Sequence, residues 1–253
     1  MRVAAAGDIH VGRDTHGRLA AALDGIGECA DLLLLAGDLT QVGSEEEAAC
    51  VVAELVDVPI PIVAVLGNHD YHADEVDRVL GLLTDAGIRV LEGDSIVVPV
   101  GDLDVGVAGV KGFCGGFPGR SASGFGEPIM REFVAHTEAI ARQLEQALDD
   151  LHGDVRLALL HYSPVVDTLI GEPAEIHPFL GSYLLAEAID RTEPDLVFHG
   201  HAHRGSERGV TPGGVRVRNV AQPVLRAPFR VYELPGPHDK GDSAVHDALR
   251  ASA

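Results

Sequence analysis

Five tetrapeptides rich in metal-binding side chains recur along the chain: GDIH at residues 7–10, GDLT at 37–40, GNHD at 67–70, HYSP at 161–164 and GHAH at 200–203. Each stands behind an apolar run, where a strand should end. Together they offer seven ligand-type side chains: Asp8, His10, Asp38, Asn68, His161, His201 and His203. Mixed carboxylate, amide and imidazole ligation suits manganese or iron best, with zinc, cobalt and nickel as further fits, because imidazole prefers transition metals to calcium or magnesium. Asp38 has two carboxylate oxygens and can bridge a pair of cations. Two cations about 3.5–4 Å apart lower the pKa of a shared water and clamp phosphate oxygens. The residues therefore point to two divalent transition-metal ions and to the splitting of phosphate esters.

The elements that must position these residues follow from the apolar pattern. Runs at 3–6, 32–36 and 62–66 read as strands, each ending at glycine. Ser44 and Glu47 form a capping box that opens a helix reaching about residue 56. Asp74 is read as the cap of a helix over 74–86, with Gly87 as its stop. Short strands follow at 88–91, 96–100 and 103–109. A helix over 131–152 places Phe133, Ile140, Leu144, Leu148 and Leu151 on one face. A second series comprises a strand at 155–160, a helix at 182–191 and a strand at 196–199, and the chain closes in a meander at 215–220, 224–227 and 229–234. Strand–helix alternation argues for a mainly parallel sheet. In open α/β sheets, sites form at the carboxyl ends of strands, where all five tetrapeptides fall. Residues 111–128, rich in Gly and Phe, and residues 162–181 read as long loops of the kind that serve as lids or binding loops. A single domain over 1–234 with a flexible tail over 235–253 is expected.

Composition narrows the partners. The chain has 19 Lys+Arg against 39 Asp+Glu, a net charge of −20. Nucleic-acid affinity comes mainly from basic side chains neutralising phosphates, so a nucleic-acid partner is not expected and a small-molecule phosphoester is. Bound metals would then supply most of the local positive charge. No apolar run approaches the length of a membrane span, and the first strand begins at residue 3, leaving no leader. Three cysteines without a CxxC pair suit a reducing, cytoplasmic setting. Cys29 and Cys50 are read as small buried residues.

The ordered set Asp-x-His, Gly-Asp, Gly-Asn-His-Asp, His and Gly-His-x-His resembles the calcineurin-like metallophosphoesterases. The match runs from Gly7 to His203. The resemblance implies a four-layer αββα sandwich of two packed mixed sheets flanked by helices. It also implies that Asp8, His10 and His203 hold one metal, that Asn68, His161 and His201 hold the other, and that Asp38 bridges them. A hydroxide bridging the metals would attack phosphorus. His69 would point at the leaving group as proton donor or charge stabiliser, and Asp70 is read as the residue that orients it.

Departures from relatives narrow the substrate. Protein Ser/Thr phosphatases carry Gly-Asp-x-x-Asp-Arg-Gly at the second motif, whereas residues 37–43 are GDLTQVG. The missing arginine argues against a protein substrate. Purple acid phosphatases place a tyrosine three residues after the bridging aspartate, where this chain has Gln41. The motifs look more like the bacterial phosphodiesterase branch, so a phosphodiesterase acting on a small, possibly nucleotide, ester is expected. A phosphomonoesterase, a nuclease and a non-catalytic scaffold are the rivals. Arg13, Phe113 and Phe117 are candidate substrate contacts, and His199 is read as a packed residue behind GHAH.

Overall fold

The apolar run Leu32–Ala36 is buried along its whole length, with no alternation of exposed residues. A strand of that kind needs a covered sheet face on each side, and the architecture supplies both. The computed structural model describes residues 1–15 and 17–234. The tail expected over 235–253 lies outside the described residues.

The first half runs β1 (Arg2–Ala6), α1 (Arg18–Leu23), α2 (Ile26–Cys29), β2 (Leu32–Ala36), α3 (Glu45–Leu55), β3 (Ile62–Val65), α4 (Val76–Asp85) and β4 (Arg89–Val90). Next come β5 (Asp94–Val100), β6 (Leu103–Val110), the small hairpin β7 (Gly116–Phe117) and β8 (Arg120–Ser121), α5 (Pro128–Asp149) and β9 (Val155–Leu160). The chain continues through α6 (His177–Leu180), α7 (Tyr183–Thr192), β10 (Leu196–His199), β11 (Arg208–Val210), β12 (Arg216–Asn219), α8 (Gln222–Leu225) and β13 (Arg230–Glu233).

One sheet has the order β13-β1-β2-β3-β4, parallel except where β13 meets β1. The other has the order β11-β12-β10-β9-β6-β5, with a parallel centre and antiparallel edges. Strand periodicity sorts alternate residues to opposite faces. Val3, Leu34 and Val63 of the first sheet meet Val107, Leu157 and Phe198 of the second in the central core. On the far face of the first sheet, Ala4, Leu33 and Ala64 pack against Val51 of α3 and Leu83 of α4. On the far face of the second, Ala158, Leu160 and Val197 pack against Leu144 and Leu148 of α5 and Ile189 of α7. The layers are therefore helix, sheet, sheet, helix. Among the described residues no helix is long and apolar enough to cross a membrane.

Several local expectations change. Residues 224–227 are not a strand; Gln222–Leu225 form α8 with Pro223 in its first turn. Proline cannot donate to a sheet ladder but suits a helix start. Ser44 caps α3 by accepting from Glu47 N, yet Glu47 turns its own carboxylate to Val42 N and leaves the capping box unclosed. Asp74 has a left-handed backbone, and Glu75 stands at the start of α4 without a side-chain cap. Cys29 is exposed, and Cys50, packed against the helix-covered core of the first sheet, is only half-buried. The loop at 111–128 contains the β7–β8 hairpin.

Candidate metal centre

The five tetrapeptides follow β1, β2, β3, β9 and β10, at the carboxyl ends of parallel strands in both sheets. Turning side chains inward there strains the backbone. Asp8, His10, Asp38 and His201 all have positive φ, between 42° and 68°. Non-glycine residues rarely adopt that region, and such conformations cost about 1–3 kcal/mol each unless the surrounding structure fixes them. Glycines make the room. A Cβ on Gly67 would collide with Asp38 Oδ1, and one on Gly200 with Asp8 Oδ2. In each case the glycine of one motif admits the carboxylate of another.

The six Asp and His residues expected as ligands fall into two groups. Asp8, His10, Asp38 and His203 form one, and Asp38, His161 and His201 the other. Asp38 belongs to both. His161 Nε2 lies 3.3 Å from Asp38 Oδ1 and 3.0 Å from Asn68 Oδ1, which brings Asn68 into the second group. His203 Nε2 lies 2.7 Å from Asp8 Oδ1, and His10 Nε2 3.8 Å from Asp38 Oδ2.

Hydrogen bonds set which nitrogen of each ring faces the centre. His161 Nδ1 donates to the Ala36 carbonyl at 2.9 Å, so Nε2 keeps its lone pair for the site. His201 Nε2 donates to the Phe179 carbonyl at 3.2 Å, which frees Nδ1. The Asp8 carboxylate accepts from His201 N, and Asp38 Oδ1 accepts from His69 N at 2.9 Å. Burial by itself would raise the Asp8 carboxyl, but the His203 bond and the nearby His161 hold it below its usual range. Burial, reinforced by His161, drives His201 down to about 3. The Asp8 bond raises His203 in turn. Carboxylate, amide and imidazole groups brought together in this way are a donor set that fits divalent transition ions.

His69 stands at the rim. Its Nδ1 donates to the Gln41 carbonyl at 2.6 Å, and Nε2 lies 3.9 Å from Asp38 Oδ2. The expected orienting role of Asp70 goes to Gln41. Asp70 instead accepts from Gly67 N, Leu39 N, Thr40 N and the Thr40 hydroxyl, clamping the GDLT loop to the GNHD loop. His199 is fully buried beneath the GHAH loop, with Nδ1 donating to Gly200 O and Nε2 2.8 Å from the Thr168 hydroxyl. Burial pushes its pKa down to about 4.

The side chains expected as substrate contacts each have protein partners. Arg13 forms an ion pair with Glu46 on the outer surface of α3. Phe117 is buried with Leu169, Leu180 and Ala202. Phe113 packs against Phe133, His136 and Tyr162. These side chains answer to surface charge and loop packing, which residue spacing does not report. The sequence reading missed Lys111, which follows β6. Its carbonyl accepts from both His161 N and Tyr162 N, and its ammonium lies 4.5 Å from the centre of the Tyr71 ring. Burial lowers its pKa against the pull of Glu92, Cys114 and Asp38. Its one sequence signal is a cation directly behind an apolar strand.

The profile of the calcineurin-like phosphoesterases matches residues 1–205. The chain belongs to that family. It is a metal-dependent phosphoester hydrolase, and the match takes in all five motifs. Phosphopantetheinyl hydrolase from Mycobacterium tuberculosis superposes on this phosphoesterase with a TM-score of 0.63 at 15% identity, over 92% of this chain and 98% of that one. A putative 5'-nucleotidase from Staphylococcus aureus gives a TM-score of 0.55 at 16% identity, over 86% of this chain and 48% of that one. At these identities the likeness is one of fold. No curated protein matches the chain.

Proposed function

We propose that the protein is a dinuclear metal-dependent phosphodiesterase acting on a small phosphoester. The observation that carries this reading is the sharing of Asp38 between two ligand groups. Asp8, His10 and His203 would hold one ion, Asn68, His161 and His201 the other, and Asp38 both. When bound, such a pair supplies an activated water and charge for the phosphate oxygens. Manganese or iron fits the donor set best.

The chain's own residues do the rest. His69, anchored at Nδ1, presents Nε2 at the rim and delivers a proton there to the departing oxygen. Gln41 keeps that ring from turning. Lys111 adds positive charge on the same side, close enough to Asp38 to feel its charge. Arg13 is engaged with Glu46. A diester carries one negative charge where a monoester carries two, so it suits a site in which Lys111 is the neighbouring cation and the whole chain is strongly acidic. The same acidity disfavours a nucleic-acid substrate.

The test is to load the protein with Mn²⁺ and compare bis-p-nitrophenyl phosphate with p-nitrophenyl phosphate. Turnover favouring the diester is expected. Turnover of neither, with two ions bound per chain, would sink the hydrolase reading of this centre, and monoester preference would overturn the diester assignment.

A further inference from the structure

A cavity of about 740 Å³ lies beside the centre, within the roughly 300–1,000 Å³ range of small-molecule sites. Its walls include Gly115, Arg120, Met130, Phe133, Pro178 and Phe179, drawn from the β7–β8 hairpin, the first turns of α5, and α6. Arg120 is the charged residue of the lining, and the remaining surface is largely apolar. Phe179 joins the cavity to the ligand groups, since its side chain lines the wall while its carbonyl accepts from His201 Nε2. A strip of rings makes a second connection: Phe133 to Phe113 at 5.4 Å, Phe113 to Tyr162 at 6.1 Å and Tyr162 to His201 at 4.3 Å between centres.

Within the lining Phe179 is 62% exposed, which leaves an apolar ring open to a ligand. The lining contains no acid, although acids outnumber bases two to one along the chain.

We propose that this cavity holds an aliphatic chain carried by the substrate, so that the enzyme prefers phosphodiesters bearing an alkyl or acyl group to short ones. The proposal rests on the metal centre hydrolysing phosphoesters. In that reaction water oxygen joins phosphorus, the bond from phosphorus to the leaving oxygen breaks, and the leaving oxygen takes the proton.

The experiment uses the full chain loaded with Mn²⁺ and three substrates: methyl, butyl and octyl p-nitrophenyl phosphate. Each methylene buried in the cavity should raise kcat/KM about two- to fourfold until the cavity is filled. Met130→Glu places a carboxylate in the wall at the start of α5, where an acid favours the helix. It should lower the octyl-to-methyl ratio of kcat/KM at least tenfold, and Phe179→Ser should lower the same ratio should Met130→Glu fail to fold. Calorimetry with methyl-, butyl- and octylphosphonate reads the same climb without turnover. A flat series, or a ratio unmoved in both variants, overturns the proposal. A climb in phosphonate affinity without hydrolysis of any ester would keep this site and remove the hydrolase reading. Equal hydrolysis of all three esters would do the reverse.

Discussion

The strand-end centre and the cavity beside it are built in opposite ways. The centre has its carboxylates and His161 buried, is braced by glycines that admit neighbouring carboxylates, and is fixed by backbone donors to Asp8, Asp38 and Asp70. The cavity wall is a hairpin of two-residue strands, the start of one helix and a four-residue helix, with the Phe179 ring open to solvent. Strand ends in two packed sheets cannot shift without disturbing the core, whereas loops on the surface can be remodelled at little cost. Chemistry therefore sits on the rigid part and substrate choice on the adjustable part.

That contrast can be broken most sharply at Asp38. Asp38→Asn should lower kcat/KM by roughly 10³-fold or more, the several kcal/mol a metal clamp supplies, and should reduce the bound metal. A loss under tenfold, with metal content intact, would remove Asp38 from the centre. His69→Asn comes next. It should cost roughly 10²–10³-fold with an alkoxide leaving group and far less with p-nitrophenolate, which needs no proton. Equal losses on both would show that His69 does not act as the acid.

His199 tests how firmly the centre is held, since it lies under the GHAH loop and bonds Thr168 behind it. Its pKa falls from an ordinary 6.5 to about 4 in the folded protein. The unfolded chain therefore binds the extra proton first as pH falls. His199 adds stability above pH 6.5 and loses it progressively down to about pH 4, by about 3 kcal/mol in all. Thermal melts of the metal-free protein should show this loss, and His199→Gln should flatten the curve in that window. An unchanged slope would mean that the imidazole is not held neutral. The smallest effect expected is that of Lys111→Met, about a tenfold rise in KM for the diester with kcat and metal content little changed, measured by steady-state kinetics. A fall in kcat alone would place Lys111 outside ground-state binding.

The same contrast governs what the sequence disclosed. Apolar runs ending in Gly-Asp, Gly-Asn-His or Gly-His mark strand ends, and strand ends in a two-sheet core have few places to go. The two ligand groups were legible for that reason. Side chains outside these runs depend on which surface comes to lie opposite. Arg13 found Glu46, Phe117 found a pocket under α6, and Asp70 found the GDLT backbone. Lys111 gained its position only because β6 pairs with β9, which sets its carbonyl against His161. The short run at 224–227 had no periodicity to separate helix from strand, and Pro223 decided it.

The left-handed backbones at Asp8, His10, Asp38 and His201 have a thermodynamic consequence. Asp8 and His203 touch across 195 positions of sequence, so the ligand groups converge only when both sheets have closed. A partly folded chain offers no comparable site. Metal affinity and global folding are then one linked equilibrium, in which each tenfold excess of free ion over its dissociation constant adds about 1.4 kcal/mol to the stability of the entire domain. Chelation would accordingly be felt as a lower melting temperature throughout the molecule, rather than as loosening confined to the motif loops.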